Sequence, residues 1–220
     1  GHVMRCLTLA AQLRERGANI AFISRELPGH VGDLVASQGY GNERLPGTAG
    51  TTTWHEDAEQ TLEAIRRISA PISWLIVDQY DLDRRWEERL RPATRKIMVI
   101  DDLANRPHDC DLLLDQNLSE KSEHRYDALV PAHCRKLLGP RYALLRQEFI
   151  DARKEQRKRD GSVRRILVFF GGSDPTGETI KTLDALHLLK LHEIAVDVVI
   201  GPSNPEKEKI RHTCDALPHT

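Results

Sequence analysis

His2, Arg5 and the glycine before them, Gly1, open the chain as the end of a glycine turn running into a helix. At the first turn of a helix the dipole disfavours imidazolium, so a neutral His2 ring can accept a proton as a general base. A His that only caps or packs at the helix start is the stronger reading of the residue type alone. A second chemical group is Gly171-Gly172-Ser173-Asp174-Pro175, which follows the apolar run 166–170 and precedes a helical pattern. Paired glycines let backbone N–H groups approach an anion, and a helix N-terminus favours phosphate. Ser173 adds a hydroxyl, and Pro175 suits an early helical position. An ordinary strand-to-helix turn with a Ser or Asp cap fits the same residues. The motif is neither a Walker A loop nor GxGxxG, which disfavours an ATPase or a NAD enzyme. Gly201-Pro202-Ser203-Asn204-Pro205 repeats the placement after the next strand and reads best as a plain turn.

Asp78-Gln79-Tyr80 and Asp101-Asp102 each follow an apolar run, at the strand edge where open parallel sheets bind ligands. The paired carboxylates suit a cation or acid–base work, but Asp is also a turn and cap residue, the better reading for Asp101. Tyr80 can hydrogen-bond a sugar or phosphate, or pack at the rim. The pairs His108/Cys110, His133/Cys134 and His212/Cys214 do not match structural zinc spacings, so no metal is expected.

The elements that must position these residues alternate apolar runs with amphipathic stretches. Residues 3–16 put Val3, Cys6, Leu7, Ala10 and Leu13 on one helical face, with Gly17 placed to end the helix. Strands are expected at 20–23, 74–77, 97–100, 112–114, 136–138, 166–170 and 196–200. Helices are expected at 28–37, 54–68, through Trp86 and Leu90, at 176–190 and from Pro205, with 41–53 a loop rich in Gly, Thr and Pro. Apolar strands spaced by helices imply an α/β fold of parallel βαβ units. The charged stretch 151–165 lacks an apolar stripe and reads as a linker or a solvated helix between residues 1–150 and 166–220.

The 220 residues are 40% hydrophobic and 30% charged, with a net charge of −1, which argues against a nucleic-acid or membrane-surface role. No apolar run approaches the roughly 20 residues of a membrane helix. Four scattered cysteines without CxxC favour a reducing, cytoplasmic setting over a disulfide framework.

Six segments in order, GHVMRCLTLAAQLRERGA, FISRELPGH, LIVDQYDLD, VIDDLANRPHDCDLLLDQN, LLGPRYALLRQEF and ILVFFGGSDP, closely resemble the PseG family. Its members are UDP-2,4-diacetamido-2,4,6-trideoxy-β-L-altropyranose hydrolases of pseudaminic acid biosynthesis. The resemblance runs to about Pro205. It implies a GT-B-like, MurG-like architecture of two Rossmann-like domains facing across a cleft. It also implies hydrolysis of the anomeric bond to UDP without a metal or cofactor, by a monomer whose partner is the UDP-sugar. In the family's GxGHxxR motif the His activates water, and Gly1, His2 and Arg5 match its second half. Tyr80 falls on the VDxY segment, which implies a sugar-side contact. Gly171, Gly172, Ser173 and Asp174 fall where a diphosphate loop belongs. A glycosyltransferase of the same fold and a non-catalytic nucleotide-sugar-binding module are the competing readings.

Against that family pattern the first domain is expected to lack its N-terminal strand and the second to be cut short. The chain expressed alone is therefore expected to be poorly soluble or unstable. A cooperative thermal transition near that of an ordinary mesophilic domain overturns this expectation.

Overall fold

Among the described residues every paired strand is parallel, the pairing that βαβ alternation dictates. The computed structural model describes residues 2–26, 32–47, 52–68, 70–119, 124–155, 160–189, 194–201 and 204–216. It divides into two compact units, Gly1–Glu155 and Gln156–Thr220. The first runs α1 (His2–Glu15), β1 (Ala21–Arg25), α2 (Gly32–Ser37), β2 (Gly41–Leu45), α3 (Trp54–Arg67), β3 (Leu75–Val77), α4 (Arg84–Leu90), β4 (Ile97–Ile100), β5 (Leu112–Asp115), β6 (Arg135–Leu138) and α5 (Gln147–Lys154). The second runs β7 (Arg165–Val168), α6 (Glu178–Leu189), β8 (Ala195–Val198) and α7 (Lys207–Asp215). The fold is α/β and Rossmann-like, with a four-stranded parallel sheet β3-β4-β5-β6 and the pairs β1-β2 and β7-β8.

β4 shows why the four-stranded sheet forms. Ile97 and Val99 face one apolar cluster, with Ala58 and Leu62 of α3, Trp86 and Leu90 of α4, Leu113 and Tyr126. Met98 and Ile100 face another, with Leu114 and with Cys6 and Leu9 of α1. All four β4 residues are buried, so the strand must be apolar at every position rather than at alternate ones. α1 also sends Leu7 and Ala10 against Val35 and Tyr40, which ties it to α2 and the β1–β2 pair. It ends where expected. Gly17 takes a φ of +87°, and the Ala18 N–H closes back on the Leu13 carbonyl at 3.1 Å. Thr53 and Glu56 start α3 with a reciprocal capping box.

The structure corrects several expected elements. β2 lies within the stretch read as a loop, because GNERL carries no apolar run. Its parallel register against β1, not its composition, makes it a strand. The helix expected over 28–37 is described from Gly32, and residues 28–31 lie outside the described residues. α5 spans position 150 and enters the charged stretch with no buried residue, so this part of it is a solvated helix. α6 starts at Glu178, so Pro175 precedes the helix.

The second unit buries Val168, Thr179, Leu183 and Ile210, while Leu167, opposite Asp197 on β8, is 67% exposed. Leu113→Ala, at a fully buried position of the first unit's core, is expected to cost about 2–5 kcal/mol. All three tryptophans, Trp54, Trp74 and Trp86, lie in that unit, so tryptophan fluorescence during denaturant unfolding reads this loss directly.

Candidate functional site

The C-terminal edge of the four-stranded sheet gathers the polar residues that the apolar strands cannot hold. Asp78 directly follows β3, and its side chain is 4% exposed. A buried carboxylate needs compensation. Arg5, one turn into α1, supplies it as a fork: Nε meets Oδ2 at 2.6 Å and Nη2 meets Oδ1. His2 Nδ1 lies 2.6 Å from Asp78 Oδ1, and Cys6 Sγ lies 3.4 Å from Oδ2. Three residues of the first two turns of α1 thus converge on one carboxylate from β3.

The electrostatics follow from this geometry. Burial pushes the Asp78 carboxyl up, but the hydrogen bonds from Arg5 and His2 and the charge of Arg5 outweigh it and hold the group below the ordinary carboxylate range. The hydrogen bond to Asp78 raises Arg5 further. Burial first, and then the neighbouring carboxylate, push the Cys6 thiol up to about 12, so Cys6 stays protonated and is no nucleophile. With Asp78 ionised, His2 donates Nδ1–H to it, which leaves Nε2 as the acceptor. Arg5 Nη2, 3.2 Å from Nδ1, spends its hydrogen on Oδ1 instead. The imidazole side chain is 42% exposed, and Tyr80 packs edge-on against it with ring centroids 4.8 Å apart. A carboxylate that fixes the tautomer while the far nitrogen stays accessible can accept a proton from a bound hydroxyl or water.

Of the residues singled out in the sequence, His2, Arg5 and Tyr80 come together here, and Gly1 lies outside the described residues. Asp78 is the residue whose part sequence reasoning missed. Its position after an apolar strand marked the sheet edge, but nothing in the chain links it to a helix more than seventy residues away. Asp101 is a loop-shaping residue, as its turn reading had it. It pairs with Arg106 at 2.8 Å, accepts from the Ala104 N–H at 2.9 Å and from Tyr126 at 3.0 Å, and is buried. His108 sits in the core with Nδ1 2.6 Å from Glu87, and the Cys110 and Cys134 thiols lie 3.5 Å apart.

The second unit carries the other expected group. Gly171, Gly172 and Ser173 form an exposed turn after β7, with Gly171 at φ +78°. Gly201, after β8, comes so close to Gly172 that a Cβ there would overlap the Gly172 carbonyl, so the two turns are neighbours. The fourth residue, Asp174, is turned inward. Its carboxylate takes the Glu178 and Thr179 N–H groups, each at 2.9 Å, and it adopts a φ of +41° to do so. These are the first amides of α6, the donors a phosphate at this helix end would use. Asp174 is therefore the Asp cap of the alternative reading. Gly171, Gly172 and Ser173 stay exposed beside this cap. Pro175 contributes to the turn rather than to the helix.

No protein-family model matches the chain. Over 213 residues, 96% of this chain and 68% of the relative, it is 28% identical to the UDP-2,4-diacetamido-2,4,6-trideoxy-beta-L-altropyranose hydrolase of Campylobacter jejuni. The chain is a distant relative of a UDP-sugar hydrolase. It is also 24% identical, over 215 residues, to an uncharacterized protein of Methanocaldococcus jannaschii, of whose length it spans 42%. Among the described residues, no helix is long and apolar enough to cross a membrane.

The lowered Asp78 carboxyl sets a direction for stability against pH. A carboxylate held below its unfolded value of about 4 stabilises fully above that value and loses the contribution as pH falls through its folded value. In fluorescence-monitored unfolding, the stability gap between the parent protein and Asp78→Asn is expected to shrink steadily below about pH 4. A gap independent of pH removes Asp78 as an ionised partner of Arg5 and His2.

Proposed function

We propose that the protein hydrolyses a UDP-linked 2,4-diacetamido-2,4,6-trideoxy sugar at the anomeric C–O bond, releasing UDP and the free sugar for pseudaminic acid biosynthesis. The observation that carries this reading is the His2–Asp78 pair held by Arg5 at the edge of the sheet. The resemblance to a named UDP-sugar hydrolase over nearly the whole chain supports it. In this reading, water donates a proton to His2 Nε2 as its oxygen bonds to the anomeric carbon. The bond from that carbon to the β-phosphate oxygen breaks, and its electron pair leaves on UDP. The imidazolium formed is stabilised by the Asp78 carboxylate through Nδ1–H, and it later returns the proton to solvent.

UDP needs little acid assistance when backbone amides meet its charge. Within the second unit, Gly171–Ser173 is an exposed turn of the kind that can meet such charge, with Asp174 capping the helix behind it. Tyr80 lies beside the imidazole, and in this reading it meets the sugar. The reading involves no metal or cofactor. Cys6, Cys110, Cys134 and Cys214 are reduced rather than disulfide-bonded, which agrees with a cytoplasmic setting.

Incubation with the UDP-sugar in ¹⁸O-labelled water tests the reaction. The label is expected in the sugar, and UDP release is expected to be independent of any added sugar acceptor. Release that requires an acceptor would mark a glycosyltransferase instead. His2→Ala is expected to lower kcat by about 10²–10⁴-fold. Near-normal turnover in that variant takes His2 out of the mechanism.

A further inference from the structure

Two of the buried thiols touch at the start of neighbouring strands. Cys110 lies just before β5 and Cys134 just before β6, and those strands pair in parallel with Leu112 beside Arg135. The Arg135 N–H donates to the Asp111 carbonyl at 3.0 Å, so the two segments already run side by side where the cysteines sit. The two Sγ atoms are 3.5 Å apart, inside the apolar cluster around Ile97, Val99 and Leu113. No CxxC spacing marks this pair in the sequence, because the fold brings it together. Nor is it half of a metal site, since no group of three His, Cys, Asp or Glu suited to a metal occurs among the described residues.

The two sulfurs are not equivalent. Cys134 has a carbonyl for its own hydrogen, that of Arg135 at 3.6 Å, which leaves its sulfur to accept from the Cys110 S–H. That hydrogen bond lowers the Cys134 thiol, and the same contact raises Cys110. Cys110 is fully buried, whereas Cys134 is 8% exposed and lies beneath a turn whose Ala132, His133 and Arg135 are exposed. Cys134 is therefore the sulfur that an outside reagent meets first, with Cys110 directly behind it. The other two thiols lack such a partner sulfur: Cys6 is held protonated beside Asp78, and burial raises Cys214.

We propose that Cys110 and Cys134 form a dithiol that hydroperoxides oxidise to an intramolecular disulfide, a reversible modification that fastens the start of β5 to the start of β6. The Cys134 thiolate attacks a peroxide oxygen, the O–O bond breaks, and an alcohol leaves behind a sulfenic acid on Cys134. Cys110 then loses its proton and attacks that sulfur. The S–S bond forms, the S–O bond breaks, and the hydroxide leaves with the proton as water. The two thiols together give up two electrons, which reduce one hydroperoxide to alcohol and water. The sulfurs must close from 3.5 Å to about 2 Å. The bond lies at the N-terminal ends of the strands, and Asp78 follows the C-terminal end of β3, so the change acts on stability and leaves the His2–Asp78 pair in place. Closing residues 110–134 into a loop restricts the unfolded chain and so stabilises the folded one.

The test treats the full chain, folded and reduced, with tert-butyl hydroperoxide. The expected product joins the tryptic peptides 97–121 and 126–135 within one molecule, lowers the thiol count in denaturant from four to two, and reverts with dithiothreitol. The disulfide is expected to form about 10-fold faster than Cys6 or Cys214 is modified. It is expected to raise the midpoint of tryptophan-reported thermal unfolding by on the order of 5–10 °C. Cys110→Ala removes the resolving thiol and is expected to leave a sulfenic acid on Cys134 that dimedone traps, whereas Cys134→Ser is expected to leave Cys110 reduced. Where a variant fails to fold, the peptide map of the parent protein decides by itself. Modification of Cys6 or Cys214 ahead of the pair overturns the proposal, as do cross-links between molecules and a Cys134 carried on to sulfinic acid while Cys110 stays reduced. An unchanged unfolding midpoint in the cross-linked protein overturns it as well.

Discussion

The carboxylate of Asp78, 4% exposed at the end of a parallel strand, is the point on which the site depends. Left alone in that position, a carboxylate costs several kcal/mol, and it would take up a proton rather than stay charged. Arg5 prevents this by meeting both oxygens with its fork, a geometry that Lys cannot supply. Once the charge is held, the remaining capacity of Oδ1 is filled by His2 Nδ1. The tautomer of the imidazole is thus a consequence of an ion pair formed for reasons of burial. The helix dipole, which seemed from the sequence to govern the ring, is secondary to a carboxylate in direct contact with it.

The scaffold follows from the same requirement. α1 must lie over the sheet for its first turns to reach β3, and it does so because Cys6 and Leu9 pack on the Met98–Ile100 face while Leu7 and Ala10 reach the β1–β2 side. The fully apolar β4 leaves no room for polar groups within the sheet. Charge is therefore confined to the strand ends, where Asp78 meets His2 and Arg5 and where Asn117 meets Asp102. The second unit solves a related problem differently. There Asp174 turns its carboxylate onto the first amides of α6, so a helix end that seemed open to an anion is already neutralised by its own chain.

Much of the fold was legible because apolar periodicity survives in short stretches. The runs at 97–100 and 112–114 and the helix stop at Gly17 are local signals, and each of these elements formed close to where its residues placed it. β2 was not legible, since GNERL is a strand only because β1 offers it a ladder. Nor was Asp174, because the spacing that suits an N-cap also suits a phosphate turn until the side chain is seen on the amides.

By itself the sequence determined the α/β class and the parallel pairing, both of which rest on patterns within a few turns or strands. Only the tertiary structure decided that Asp78 is the partner of both His2 and Arg5, across more than seventy residues, and that Tyr80 packs edge-on against the imidazole. The reason is physical. A strand end and a helix start are brought together by apolar packing that is indifferent to the polar groups at their tips, and the burial that results dictates which charges must meet.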